Sequence, residues 1–103
     1  MKIVVFRVRL EYFLQIESGQ KNVELRKDSL FWRRRLLGPR PPSIALFLCG
    51  RRKLYRCIVE IRVDQDPEVT LGRPLSAQGK KDIPTPKCFA IFLGKVVTER
   101  REV

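Results

Sequence analysis

The sequence predicts a mostly β fold of the α+β class. The expected form is a small mixed or antiparallel β-barrel of five to six strands, with one helix at about residues 10–18 covering an opening. Three observations carry that expectation. The chain has 103 residues, room for one core and a single domain spanning 1–103. Its apolar residues recur mostly with period two, and helical spacing is confined to short stretches. Five strands with few helices at this length bury their apolar faces best by curling into a barrel.

Each element follows from its own pattern. Residues 3–8 alternate, with Val4, Phe6 and Val8 on one face, and form the first strand. From residue 10 the period changes. Leu10, Phe13, Leu14 and Glu17 follow helical spacing beside Tyr12 and Ile16, and Gly19 stands where a helix ends in a left-handed residue. Period two returns over 21–27, with Val23 and Leu25 facing the core and Asn22, Glu24 and Arg26 opposite. Ser29 to Leu37 reads as one or two helical turns stopped by Gly38 and Pro39. Pro41 and Pro42 lead into residues 43–49, an apolar run that suits a strand buried on both sides. Residues 50–53 form a turn. Residues 54–63 alternate most cleanly: Tyr55, Cys57, Val59, Ile61 and Val63 share a face, and Arg56, Glu60 and Arg62 lie on the other. Residues 64–86 carry Pro67, Pro74, Pro84 and Pro86 with Gly72 and Gly79, and read as mostly loop with one helical turn. A closing strand runs over 88–97, followed by the charged tail Glu99 to Glu102. The expected core is Val4, Phe6, Val8, Phe13, Val23, Leu25, Leu46, Leu48, Val59, Ile61, Ile91 and Leu93.

Charge narrows the function. Twenty-two Lys and Arg against eleven Asp and Glu give +11, with a pI near 10.3, so the protein concentrates polyanions around itself. Residues 1–63 hold +10 of that and residues 64–103 only +1, which assigns any electrostatic surface to the first two-thirds of the chain. There is no histidine, hence neither the commonest general base nor the commonest zinc ligand. Cys49, Cys57 and Cys88 are odd in number and match no zinc spacing, so they read as reduced core residues, and neither metal nor cofactor is expected. Few Asn and Gln beside 32% charged residues lean towards a thermophilic source. The longest apolar run falls far short of the ~20 residues that cross a bilayer, and Arg7 and Arg9 interrupt any signal-like segment. A cytoplasmic protein without a membrane partner is expected.

The most informative segment is Gly19-Gln20-Lys21-Asn22-Val23-Glu24-Leu25-Arg26. A helix ends at Gly19 and a strand begins at Lys21, so Lys21 lies where a helix end meets a sheet edge. Glu24 and Arg26 share a strand face beside Asn22, and convergent polar groups at one end of a small barrel make a ligand pocket. The plainer alternative is a Glu24–Arg26 ion pair on a solvated face. Strict alternation would turn Lys21 towards the Val23 side, so its membership requires the strand to bend at its start.

The pattern G-x-K-x-x-E-x-R, preceded by the helix bearing Tyr12-Phe13-Leu14-Gln15-Ile16, resembles the ASCH domain family of the PUA-like superfamily. The resemblance implies a PUA-like barrel with a cleft lined by Gly19, Lys21, Glu24 and Arg26 that takes RNA or a modified nucleoside. Two positions depart from the family's pattern. Asn22 stands where a threonine often follows the lysine, and Glu24 stands where the amidohydrolase branch has a threonine.

Two further basic clusters extend the surface. Arg26, Lys27, Trp32, Arg33, Arg34, Arg35 and Arg40 interleave cations with Phe31 and Trp32, a composition that contacts phosphates and stacks unpaired bases. Trp32 is either such a platform or core. Arg51, Arg52, Lys53 and Arg56 sit on a hairpin and its following strand, either as phosphate contacts or as a solvated tip. The expected function is an RNA- or nucleotide-binding module that uses the Gly19–Arg26 cleft and a basic face over residues 26–56. Its partner is RNA, another single-stranded nucleic acid, or a nucleoside or nucleotide. The alternative is a small hydrolase acting on N4-acetylcytidine or cleaving RNA, with Lys21 and Glu24 catalytic. The lack of histidine and of the amidohydrolase threonine favours binding.

Overall fold

The computed structural model describes residues 2–98; the charged tail from Glu99 onwards lies outside them. The elements run β1 (Ile3–Arg7), α1 (Leu10–Ser18), β2 (Val23–Lys27), α2 (Leu30–Leu36), β3 (Ile44–Cys49), β4 (Arg52–Gln65), α3 (Pro67–Leu71), α4 (Ala77–Asp82) and β5 (Cys88–Val97). The five strands form one mixed sheet in the order β1-β3-β4-β5-β2. β1 and β3 are parallel, and the other neighbours are antiparallel. The sheet curls into a half-barrel, as the sequence predicts, and leaves β1 and β2 as its edges.

The concave side holds the core. Val4 and Phe6 of β1, Ala45 and Phe47 of β3, Leu54 of β4, and Phe89, Ile91 and Leu93 of β5 meet Phe13 and Ile16 of α1 and Trp32 and Leu36 of α2. Phe6 stacks on both Trp32 and Phe47, with ring centroids 5.1 and 5.4 Å apart. α1 closes one end of the half-barrel and stops at Gly19, whose φ of +85° is open to glycine at little steric cost. α2 begins at Ser29, whose hydroxyl accepts from the Trp32 amide.

Several expected faces are reversed. On β3, Ala45 and Phe47 are buried, and Leu46 and Leu48 look outward and are only half-buried. The parallel register sets Val4 beside Ala45 and Phe6 beside Phe47, so β1 chooses the face that an unbroken apolar run leaves open. On β2, Glu24 faces inward beside Ile91, and Val23 and Leu25 are half-buried on the other side. On β4, Leu54 and Arg56 point to the core, and register shifts around Ile58 and Glu60 then break the alternation. Ile58 and Ile61 pack against the core, whereas Val59 is 70% exposed. Val8 is half-buried at the core's margin, and Leu10 and Leu14 of α1 are exposed.

The proline-rich stretch also differs, since it forms two short helices rather than one turn. Asp66 accepts from the amides of Glu68 and Val69 at the start of α3, and Pro67 takes the first helical position, where no amide hydrogen is needed. Ser76 caps α4 through the Gly79 amide.

All three cysteines are free, but only Cys88 is buried; Cys49 is half-buried against the core and Cys57 is half-buried on β4. Burial, with the charge of Asp66 adding to it, pushes the Cys88 thiol up to about 11. The neutral thiol therefore favours the folded state below about pH 8.5, the ordinary thiol value, and that contribution fades as pH rises towards about 11. With a disulfide reagent near pH 8 (about the ordinary thiol value), Cys88 is expected to react only at the rate of unfolding. Labelling of Cys88 as fast as that of Cys49 or Cys57 would contradict its burial.

Among the described residues no helix is long and apolar enough to cross a membrane.

Candidate functional site

The seam between the two edge strands is where polar groups gather. Glu24, on the inward face of β2, is 4% exposed. Its two carboxylate oxygens accept from Lys21 Nζ and from Arg26, whose Nε lies 2.9 Å and Nη2 2.7 Å from Oε2. A buried carboxylate flanked by two cations is compensated, and the triad keeps one net positive charge. Arg26 also donates to the carbonyl of Arg7 on β1 at 3.2 Å, and its guanidinium carbon lies 5.0 Å from the ring centroids of both Phe6 and Trp32. One side chain of β2 thus reaches across to β1 where no strand ladder does. Lys21 precedes β2 rather than opening it, so strand alternation does not apply to it, and its ammonium lies 5.8 Å from the centre of the Tyr12 ring.

Arg56 accounts for the position of Lys21. Its side chain, 5% exposed on the core face of β4, donates to Gly94 O, Ile16 O, Lys21 O and Asn22 Oδ1 at 2.7–3.1 Å. The end of α1, the turn into β2 and strand β5 are tied to one guanidinium. Burial holds that guanidinium below its usual pKa, although it stays charged. The sequence offers Arg56 as a phosphate contact, but its donors are taken up by three backbone carbonyls and the Asn22 amide oxygen. Asn22 is committed too, donating to Gly19 O as it accepts from Arg56.

Around the triad opens a cleft of about 900 Å³ between the β1–β2 seam and the α3–α4 segment. Among the described residues its cations are Arg7, Arg9, Lys21, Arg26, Lys27, Arg73 and Lys81, and its carboxylates are Glu24 and Asp82. Tyr12, Trp32, Leu75 and Ile83 supply apolar wall. Trp32 is 9% exposed and belongs to the core, with the remainder of its ring in this wall. The arrangement suits an anionic ligand with a flat apolar part.

Of the residues singled out in the sequence, Lys21, Glu24 and Arg26 of the motif, and Lys27 and Trp32 of the basic cluster after it, line this cleft. The sequence pattern missed Arg73, Lys81 and Ile83, and the charge division that pointed to the first two-thirds of the chain concealed them. The other basic residues fall elsewhere. Arg33 is held by Asp28 through two bonds of 2.6 and 2.7 Å, which raise its pKa, and Arg34 and Arg35 are exposed on α2. Arg51, Arg52 and Lys53 are exposed at the β3–β4 turn and line no part of the cleft. Among the described residues no group of His, Cys, Asp and Glu is placed to hold a metal ion.

No family model matches the chain, and no curated protein matches it either.

Proposed function

We propose that the protein is an RNA- or nucleotide-binding module that seats a nucleotide in the cleft beside Lys21, Glu24 and Arg26. The observation that carries this reading is the excess of cations over carboxylates around a concave site with an aromatic wall. Glu24 fixes the two nearest cations, so their donors are aimed before a ligand arrives. The likeness of Gly19, Lys21, Glu24 and Arg26 to the ASCH motif supports the same reading, including a PUA-like ancestry for the half-barrel.

The test is the salt dependence of binding to a fluorescent single-stranded RNA. Neutralising on the order of five phosphates gives a log–log slope of about −3.5. Lys21→Ala is expected to weaken binding by ~1–2 kcal/mol with an unfolding midpoint close to the parent's, and Glu24→Gln to weaken it as much while also lowering the midpoint, since it leaves two cations without their carboxylate. A slope near zero overturns the reading. So does acetate release from N4-acetylcytidine, or RNA cleavage, that the parent performs and Lys21→Ala loses, because that result makes the cleft a catalytic site.

A further inference from the structure

We propose that the cleft is one end of a longer track, and that the ligand is a single strand of several nucleotides laid along α2. The inference rests on the nucleotide-binding reading above and names its substrate class. α2 joins two hollows. Trp32, in its first turn, stands in the cleft wall, and its other end leads into a shallow depression of about 470 Å³ that holds Lys2, Arg33, Arg34 and Arg40. Asp28 occupies Arg33, but among the described residues Lys2, Arg34 and Arg40 have no carboxylate partner.

Between the hollows lies an aromatic step. Phe31 is 52% exposed and meets Trp32 edge-on, with ring centroids 4.9 Å apart at 83°. Arg34 and Arg35 fall three and four residues after Phe31, on the same exposed face of the helix. The Arg35 guanidinium lies 3.5 Å from the Phe31 ring centre and donates to Phe31 O at 3.0 Å, so a base that takes the ring displaces one exposed hydrogen bond. The cleft meets α2 only at Trp32, whereas the depression continues past the helix end through Leu37, Gly38 and Pro39 to Arg40, so a ligand that fills both runs the length of α2 and beyond. A base against Trp32, its neighbour on Phe31 and the following phosphates at Arg34, Arg40 and Lys2 use every feature of the helix face. A duplex offers no free base to either ring.

The test compares uridine monophosphate, hexauridylate and a duplex of the same length by competition against a labelled strand. Hexauridylate is expected to bind at least about ten-fold more tightly than the monophosphate. Phe31→Ala should cut the ratio of hexamer to monophosphate affinity by about five-fold or more. Arg34→Ala with Arg40→Ala should flatten the hexamer's salt slope by about 1.4. The inference is overturned by equal affinities for monophosphate and hexamer, by a duplex that binds as tightly as the strand, or by variants that leave the ratio and slope as they were. In each of those cases the cleft still binds nucleotide. Failure of both monophosphate and hexamer to bind overturns the cleft reading itself, and the track with it.

Discussion

Arg56→Met is expected to destabilise the fold by about 3–5 kcal/mol, among the largest losses available to a single substitution in this chain. Methionine keeps much of the apolar stem and removes every donor. Four acceptors then lose the guanidinium: Lys21 O and Asn22 Oδ1 in the turn, Gly94 O on β5, and Ile16 O at the end of α1, which keeps only the Gly19 amide at 3.4 Å. A buried acceptor left unpaired costs about 1–3 kcal/mol, and those nearest the surface regain part of that from water. Arg56→Lys keeps the charge, but a single ammonium cannot span four acceptors that a flat fork reaches, so it is expected to recover less than half of the loss. Urea unfolding of the three proteins measures the effect. A loss below about 1 kcal/mol for Arg56→Met would mean that the guanidinium is not the clamp.

Arg56 also illustrates why the sequence shows the elements more clearly than their faces. Local spacing and the left-handed Gly19 are enough to place α1, and period two is enough to place the strands. Which side of a strand turns inward is set by its neighbours. In residues 44–49 every side chain is apolar, so only pairing with β1 selects Ala45 and Phe47. On β2 the polar side is the inner one, because Glu24 and Arg26 line a site and bring their own compensation with them. A pattern rule assigns such a face to solvent, and it fails where two cations compensate a buried carboxylate. On β4 the register shifts are invisible in composition, and Arg56 reads as a surface cation until its acceptors are seen. The site divides in the same way. Lys21, Glu24 and Arg26 form a local motif and can be read. Arg73, Lys81 and Ile83 reach the cleft only through the path of α3 and α4, and nothing near them in sequence refers to residue 21.

The largest effect on binding is expected from Arg26. Arg26→Ala should weaken nucleotide binding by about 2–3 kcal/mol and lower stability by about 1–2 kcal/mol, since one side chain serves both purposes. For stability, it crosses from β2 to the Arg7 carbonyl on β1 and lies over Phe6 and Trp32. For binding, it is the cation set between the aromatic wall and Glu24. Its loss leaves Glu24 with Lys21 alone, and the triad with no net charge for a phosphate. Arg26→Lys separates the roles. Lysine restores the net charge, but it offers neither the flat stack on two rings nor the fork that meets Glu24 and Arg7 together. If charge alone draws the ligand, Arg26→Lys binds like the parent and keeps its salt slope. If the oriented guanidinium is what the ligand meets, Arg26→Lys binds nearly as weakly as Arg26→Ala at every salt concentration, and that is the expected result. Titration of both variants with uridine monophosphate and with RNA, beside their urea midpoints, decides the matter. Parental affinity in Arg26→Ala would remove the triad from the binding site altogether.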